Sequence, residues 1–83
     1  MNGMMVKIQS IKNKDDFVSF LNELAIDFRN NPEEWKNMTV DTFLESVASW
    51  VEDYSTAPNN DIEWEKLDYT ILARLFYVGK IYE

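Results

Sequence analysis

Large apolar residues spaced three and four apart constrain this chain more than any other feature. Phe17, Phe20, Leu21, Leu24 and Phe28 recur in that way, and so do Val40, Phe43, Leu44, Val47, Trp50, Val51 and Tyr54. A repeat near 3.6 residues puts such side chains on one side of a helix. On a 100° wheel the first set spans about 100° and the second about 120°, the width of a core-facing stripe. Ile26 falls outside the first stripe. Amphipathic helices are therefore predicted over about 14–30 and 40–54.

The residues at the ends agree with these spans. Asn13 can cap the first helix, and Asp15 and Asp16 stand in its first turn, where the helix dipole favours anions. Asn31 can cap again, Pro32 suits the first helical position, and Glu34 stands where a capping box needs it. One short helical turn is expected there, carrying Trp35 onto the core. Thr39 is the expected cap of the following helix.

After the loop "STAPNNDIE", broken by Pro58 and Asn59-Asn60, a last helix is predicted from Trp64 or Lys66 to about Tyr82. Trp64, Leu67, Ile71, Leu72, Leu75, Val78 and Tyr82 form its main stripe. Tyr69, Phe76 and Ile81 widen the apolar arc beyond half the circumference, so the helix is either central or has a further partner. Gly79 costs about 1 kcal/mol inside a helix, which suggests a close approach by a neighbouring helix. At the other end, residues 4–11 alternate at Val6 and Ile8, so residues 1–12 are expected to be extended or poorly ordered.

The predicted fold is all-α: one domain over residues 1–83, a small bundle of three long helices plus one short helical turn. Eighty-three residues without cysteine need a dense core, and Trp50 and Leu75 are expected inside it. Only two glycines and two prolines argue against a turn-rich β fold. Lack of cysteine fits a reducing compartment. With no signal-peptide pattern and no apolar run of about 18 residues, a cytoplasmic protein is expected.

The net charge of −7 is unevenly placed. Residues 41–68 hold eight acids and one base, while the remainder holds seven of each. Nucleic-acid and anionic-membrane partners both require basic surface, so neither is expected.

Catalysis has little to draw on. There is no histidine for near-neutral acid–base work, no thiol nucleophile, and no Ser-x-x-Lys pair. Paired carboxylates remain as an alternative, with Glu45 and Glu52 or Asp41 and Glu45 as nominees. These acids fall on a convex helix face, whereas tuning a carboxyl group needs a cleft. No catalytic residue and no cofactor is therefore expected.

Only hard cations suit the available oxygen ligands. The stretch "DYSTAPNNDIEWE" resembles a calcium loop, but Ala57, Pro58 and Trp64 occupy three positions that an EF-hand reserves for other residues. A loose site at Asp61, Glu63 or Glu65 is the remaining metal option. Isolated Gly3 and Gly79 make no phosphate loop. Trp35, Trp50 and Trp64 at helical spacing read as packing before they read as a ligand pocket.

Asp41, Glu45 and Glu52 fall within about 40° of one another on the side opposite the apolar stripe. Such a face is either a solubilising surface or a dock for a basic partner. Glu52 and Asp53 end their helix, where acids oppose the dipole by about 0.3–1 kcal/mol each. Arg74, Lys80 or a basic group outside the fold is the expected compensation.

The segments "FVSFLNELAIDFRNNPEEWKNMTVDTFLESVASWVEDY" and "ILARLFYVGKIYE" resemble a domain-of-unknown-function family of small bacterial proteins. The carrying residues are Phe17, Phe20 and Leu21; Asn31 to Trp35 and Asn37; Phe43, Leu44, Glu45, Ala48, Trp50, Glu52 and Asp53; and Lys80 to Glu83. Gly79 stands where that family's pattern has alanine. The resemblance implies a fold and a bacterial source, and no activity.

The expected role is a non-enzymatic protein-interaction module. Its sharper form is an immunity-like or inhibitory protein that binds a basic partner through Asp41, Glu45, Glu52 and Asp53. Two alternatives stand beside it: a small carboxylate-dependent enzyme or metal-dependent domain, and a homodimer joined through the last helix.

Overall fold

The computed structural model describes residues 3–83, and within them all regular secondary structure is helical. The helices are α1 (Gly3–Gln9), α2 (Lys14–Asn30), α3 (Val40–Ser55) and α4 (Tyr69–Val78), with 3₁₀ turns at Pro32–Glu34 and Trp64–Lys66. Among the described residues no helix is long and apolar enough to cross a membrane. The chain divides into two compact units, Met1–Ser46 and Val47–Glu83, and the division falls inside α3.

α2 and α3 occupy the spans their apolar repeats predict. Asn13 is extended (φ −152°, ψ −179°), and its side chain accepts the Asp16 amide at 2.8 Å. The Asp16 carboxylate also accepts the Lys12 amide at 3.0 Å, which ties down the chain just ahead of the cap. α3 starts more loosely. The Thr42 amide meets Asp41 Oδ1 at 2.9 Å and Thr39 Oγ1 only at 3.4 Å.

Four expectations need correction. The N-terminal lead-in is helical from Gly3 to Gln9; Met1 and Asn2 lie outside the described residues. Two alternating residues are too short a signal to outweigh a run of good helix formers such as Met4, Met5, Lys7 and Gln9. α1 is also fastened to α2, with Lys7 Nζ 2.7 Å from Glu23 Oε2 and 3.3 Å from Ser19 Oγ.

The turn at Pro32 forms, but Asn31 does not cap it with its side chain. Asn31 Nδ2 instead donates to Asp27 Oδ1 at 3.1 Å. The last helix is broken in two. Leu67 is extended between the pieces (φ −83°, ψ 143°), and Asp68 caps α4 by accepting the Ile71 amide at 3.1 Å. An aspartate that competes for backbone donors restarts the helix rather than continuing it. α4 stops at Val78, and Gly79 keeps ordinary right-handed angles. Added bulk at Gly79 would meet only the Phe76 carbonyl, so no neighbouring helix approaches it among the described residues.

The fourth correction concerns the core. Among the described residues none is fully buried; Trp50 keeps 51% of its surface exposed and Leu75 44%. The apolar wheels identify which faces are oily, but units of 46 and 37 residues are near or below the size at which a core closes by itself.

Candidate interaction surfaces

The first unit is organised around Asp27. Its carboxylate accepts the Trp35 indole N–H at 2.9 Å and the Asn31 amide at 3.1 Å, while its carbonyl accepts the Asn31 backbone N–H at 2.8 Å. Pro32 starts the turn that swings Trp35 back toward α2. The indole then meets Phe28 edge-on (5.1 Å, 75°) and lies nearly parallel to Phe43 at 6.3 Å. The Asn-Pro-Glu-Glu-Trp stretch thus builds an aromatic seat, held by one carboxylate that the sequence did not single out.

In the second unit Asn60 plays a comparable part. Its Oδ1 accepts the Ile62 amide at 3.0 Å, the mark of a local Asx turn, and the Trp64 indole N–H at 2.9 Å. Tyr54 donates toward Asp61 Oδ1 (2.8 Å) and the Asn59 carbonyl (3.1 Å). The hydrogen bond to Asp61 raises the Tyr54 hydroxyl above its ordinary value, with desolvation adding to the effect. Trp50 stacks on Tyr54 (4.5 Å, 12°), and Trp64 sits 6.3 Å away.

The loop that resembled a calcium site is therefore folded by its own Asn and Asp side chains onto aromatic groups. Among the described residues no three His, Cys, Asp or Glu side chains gather as metal ligands. Trp50 and Trp64 share one cluster, while Trp35 belongs to the other unit.

The four nominated acids also divide: Asp41 and Glu45 lie in the first unit, Glu52 and Asp53 in the second. All four are exposed. Asp41 has local work. The Thr39 hydroxyl, then the Thr42 amide, hold its carboxyl below the usual range. The ion pairs among the described residues are Lys7–Glu23 and Lys66–Glu63, so neither Arg74 nor Lys80 compensates Glu52 and Asp53. Lys80 lies over the Tyr77 ring instead, 5.7 Å from its centre.

α4 exposes large apolar residues at seven of its ten positions. Every residue from Tyr69 to Val78 is exposed, and the tail does not pack either, with Ile81 62% and Tyr82 86% exposed. Among the described residues its one hydrogen bond from a side chain to another element is from the Tyr69 hydroxyl to the Trp64 carbonyl.

Capped helices, tryptophan-centred turns and unpaired acids define a small, acidic, all-helical domain. The chain belongs to the family of unknown function DUF7660, whose model matches residues 13–83. The match takes in both units and leaves out α1. No curated protein and no solved structure matches the chain.

Proposed function

We propose that this chain is a non-enzymatic interaction module whose acidic side takes a basic protein partner, in the manner of an inhibitory or immunity-like protein. The observation that carries this reading is the exposure of Glu45, Glu52 and Asp53 without an ion pair among the described residues. Unpaired acids hold their full field for a cationic partner, steering its approach and speeding association at low salt. The family match runs through both units, which supports treating residues 13–83 as one functional domain. On this reading the bundle of long helices expected from the sequence is completed in an assembly.

Asp41 is a poor choice for testing this idea, because its carboxylate also holds the start of α3. The informative variant reverses Glu45, Glu52 and Asp53 to lysine. A partner captured from the native host by the unmodified chain should associate at least tenfold more slowly with this variant, and the difference should shrink as salt is raised. Equal association rates at low salt would rule out the acidic side as the dock.

A further inference from the structure

We infer that α4 is the interface for a second copy of this chain. On a helical wheel its apolar arc covers about 220°, from Val78 and Ile71 through Leu75, Leu72 and Phe76 to Tyr69 and Ala73. Such an arc carries two stripes. Ile71, Leu75 and Val78 make one, and Tyr69, Leu72 and Phe76 make the other. Both stripes are exposed, and because a single helix covers about 100° to 120°, a partner must bring more than one helix to cover them.

Area and charge identify the occupant. Tyr69, Phe76, Tyr77 and Tyr82 are each 51% to 86% exposed, which at about 200 Å² per ring offers roughly 500 Å² from aromatics alone. Ile71, Leu72, Leu75, Val78 and Ile81, each 38% to 62% exposed, bring the stretch to the ~800 Å² per partner that a stable pair buries. An apolar patch of that size exceeds what a monomer ordinarily leaves in water.

Between Tyr69 and Tyr82 the only charged residues are Arg74 and Lys80. A basic protein finds no acid to meet there. For a second copy it is an apolar, acid-free stretch on which two chains of net charge −7 can touch without bringing acids together.

Sedimentation of the full chain over a concentration series tests this. The unmodified protein should show a mass twice that of its 9.8 kDa chain. Leu72→Glu with Phe76→Glu should weaken association at least tenfold, while Thr70→Glu, on the polar side of α4, should leave it unchanged. If the double variant loses helicity, cross-linking decides instead. The chain has no cysteine, and a residue near the middle of a two-fold helix pair meets its own copy. Leu72→Cys should therefore oxidise to a linked dimer several-fold faster than Thr70→Cys. A mass of one chain at every concentration, an open-ended assembly, a dimer indifferent to the double substitution, or equal cross-linking rates would each overturn the proposal.

Discussion

α2 and α4 have similar apolar periodicity and opposite circumstances. α2 is the more polar helix, yet its polar side chains reach other segments: Glu23 to Lys7, and Asp27 to Asn31 and Trp35. α4 is mostly apolar, and past Tyr69 its side chains make no hydrogen bond to another element among the described residues. Polar ties have direction and can hold two short segments without a closed core. Apolar surface has no such selectivity and is stabilised only by whatever covers it. The first unit supplies its own fastenings, whereas α4 has apolar surface to spare.

The largest expected effect falls on the aromatic seat of the first unit. Trp35→Ala removes two ring contacts and one of the two side-chain donors to the Asp27 carboxylate, and should cost about 3 kcal/mol. Trp50→Ala should cost about 1–2 kcal/mol, because half of that ring already faces water. Urea unfolding followed by far-UV dichroism gives both numbers. Equal losses would erase the contrast between the two clusters.

Asp27→Ala comes next. It leaves the Trp35 indole and the Asn31 amide without an acceptor, for about 1–2 kcal/mol. The Trp35 emission should shift to longer wavelength as the ring loosens, and Trp50→Phe with Trp64→Phe isolates that signal. An unchanged spectrum would mean that ring stacking, and not the carboxylate, seats the indole.

A smaller effect should appear with pH. The hydrogen bond from Lys7 holds Glu23 below its ordinary value, aided by the Lys7 charge and Ser19 and opposed by desolvation. The α1–α2 tie is therefore fully present above the unfolded glutamate pKa of about 4.3 and is lost as pH falls through the lower folded value. Asp41, held down by Thr39 and Thr42, should loosen the start of α3 in the same direction. Tyr54 is raised by Asp61, so its bond is intact below about pH 10 and is lost as pH rises through the folded value. Proton-detected titration of α1 amides reads the acid limb. Lys7→Met should abolish it while sparing the alkaline change near Tyr54.

Much of the local structure was legible because its causes are local. Asn13, Pro32 and the three- and four-residue spacing act within a turn or two, and α2, the short turn and α3 lie where they point. Asp27 was not legible, since its partners come from four and eight residues away through a turn whose path the sequence does not print. Asn60 could have been found: an asparagine two residues before an apolar position in a Pro-Asn-Asn-Asp loop is an Asx-turn signal. Asp68 could equally be read as a cap or as an interior acid, and the helix broke there. Exposure of Trp50 was beyond reach, because a wheel says which face is apolar and not what lies against it. The four nominated acids are exposed, and of their side chains only that of Asp41 makes a hydrogen bond among the described residues, one that holds the start of α3.

On the pairing inferred above, the first unit is held by its own contacts and α4 by contacts from another chain. Amide hydrogen exchange across a dilution series tests it most directly. An isolated ten-residue helix is marginal in water, so α4 protection should fall at least tenfold on dilution below the dimer range. Protection of α2 between Phe17 and Asp27 should stay constant. Strong protection of α4 that does not change with concentration would contradict the account.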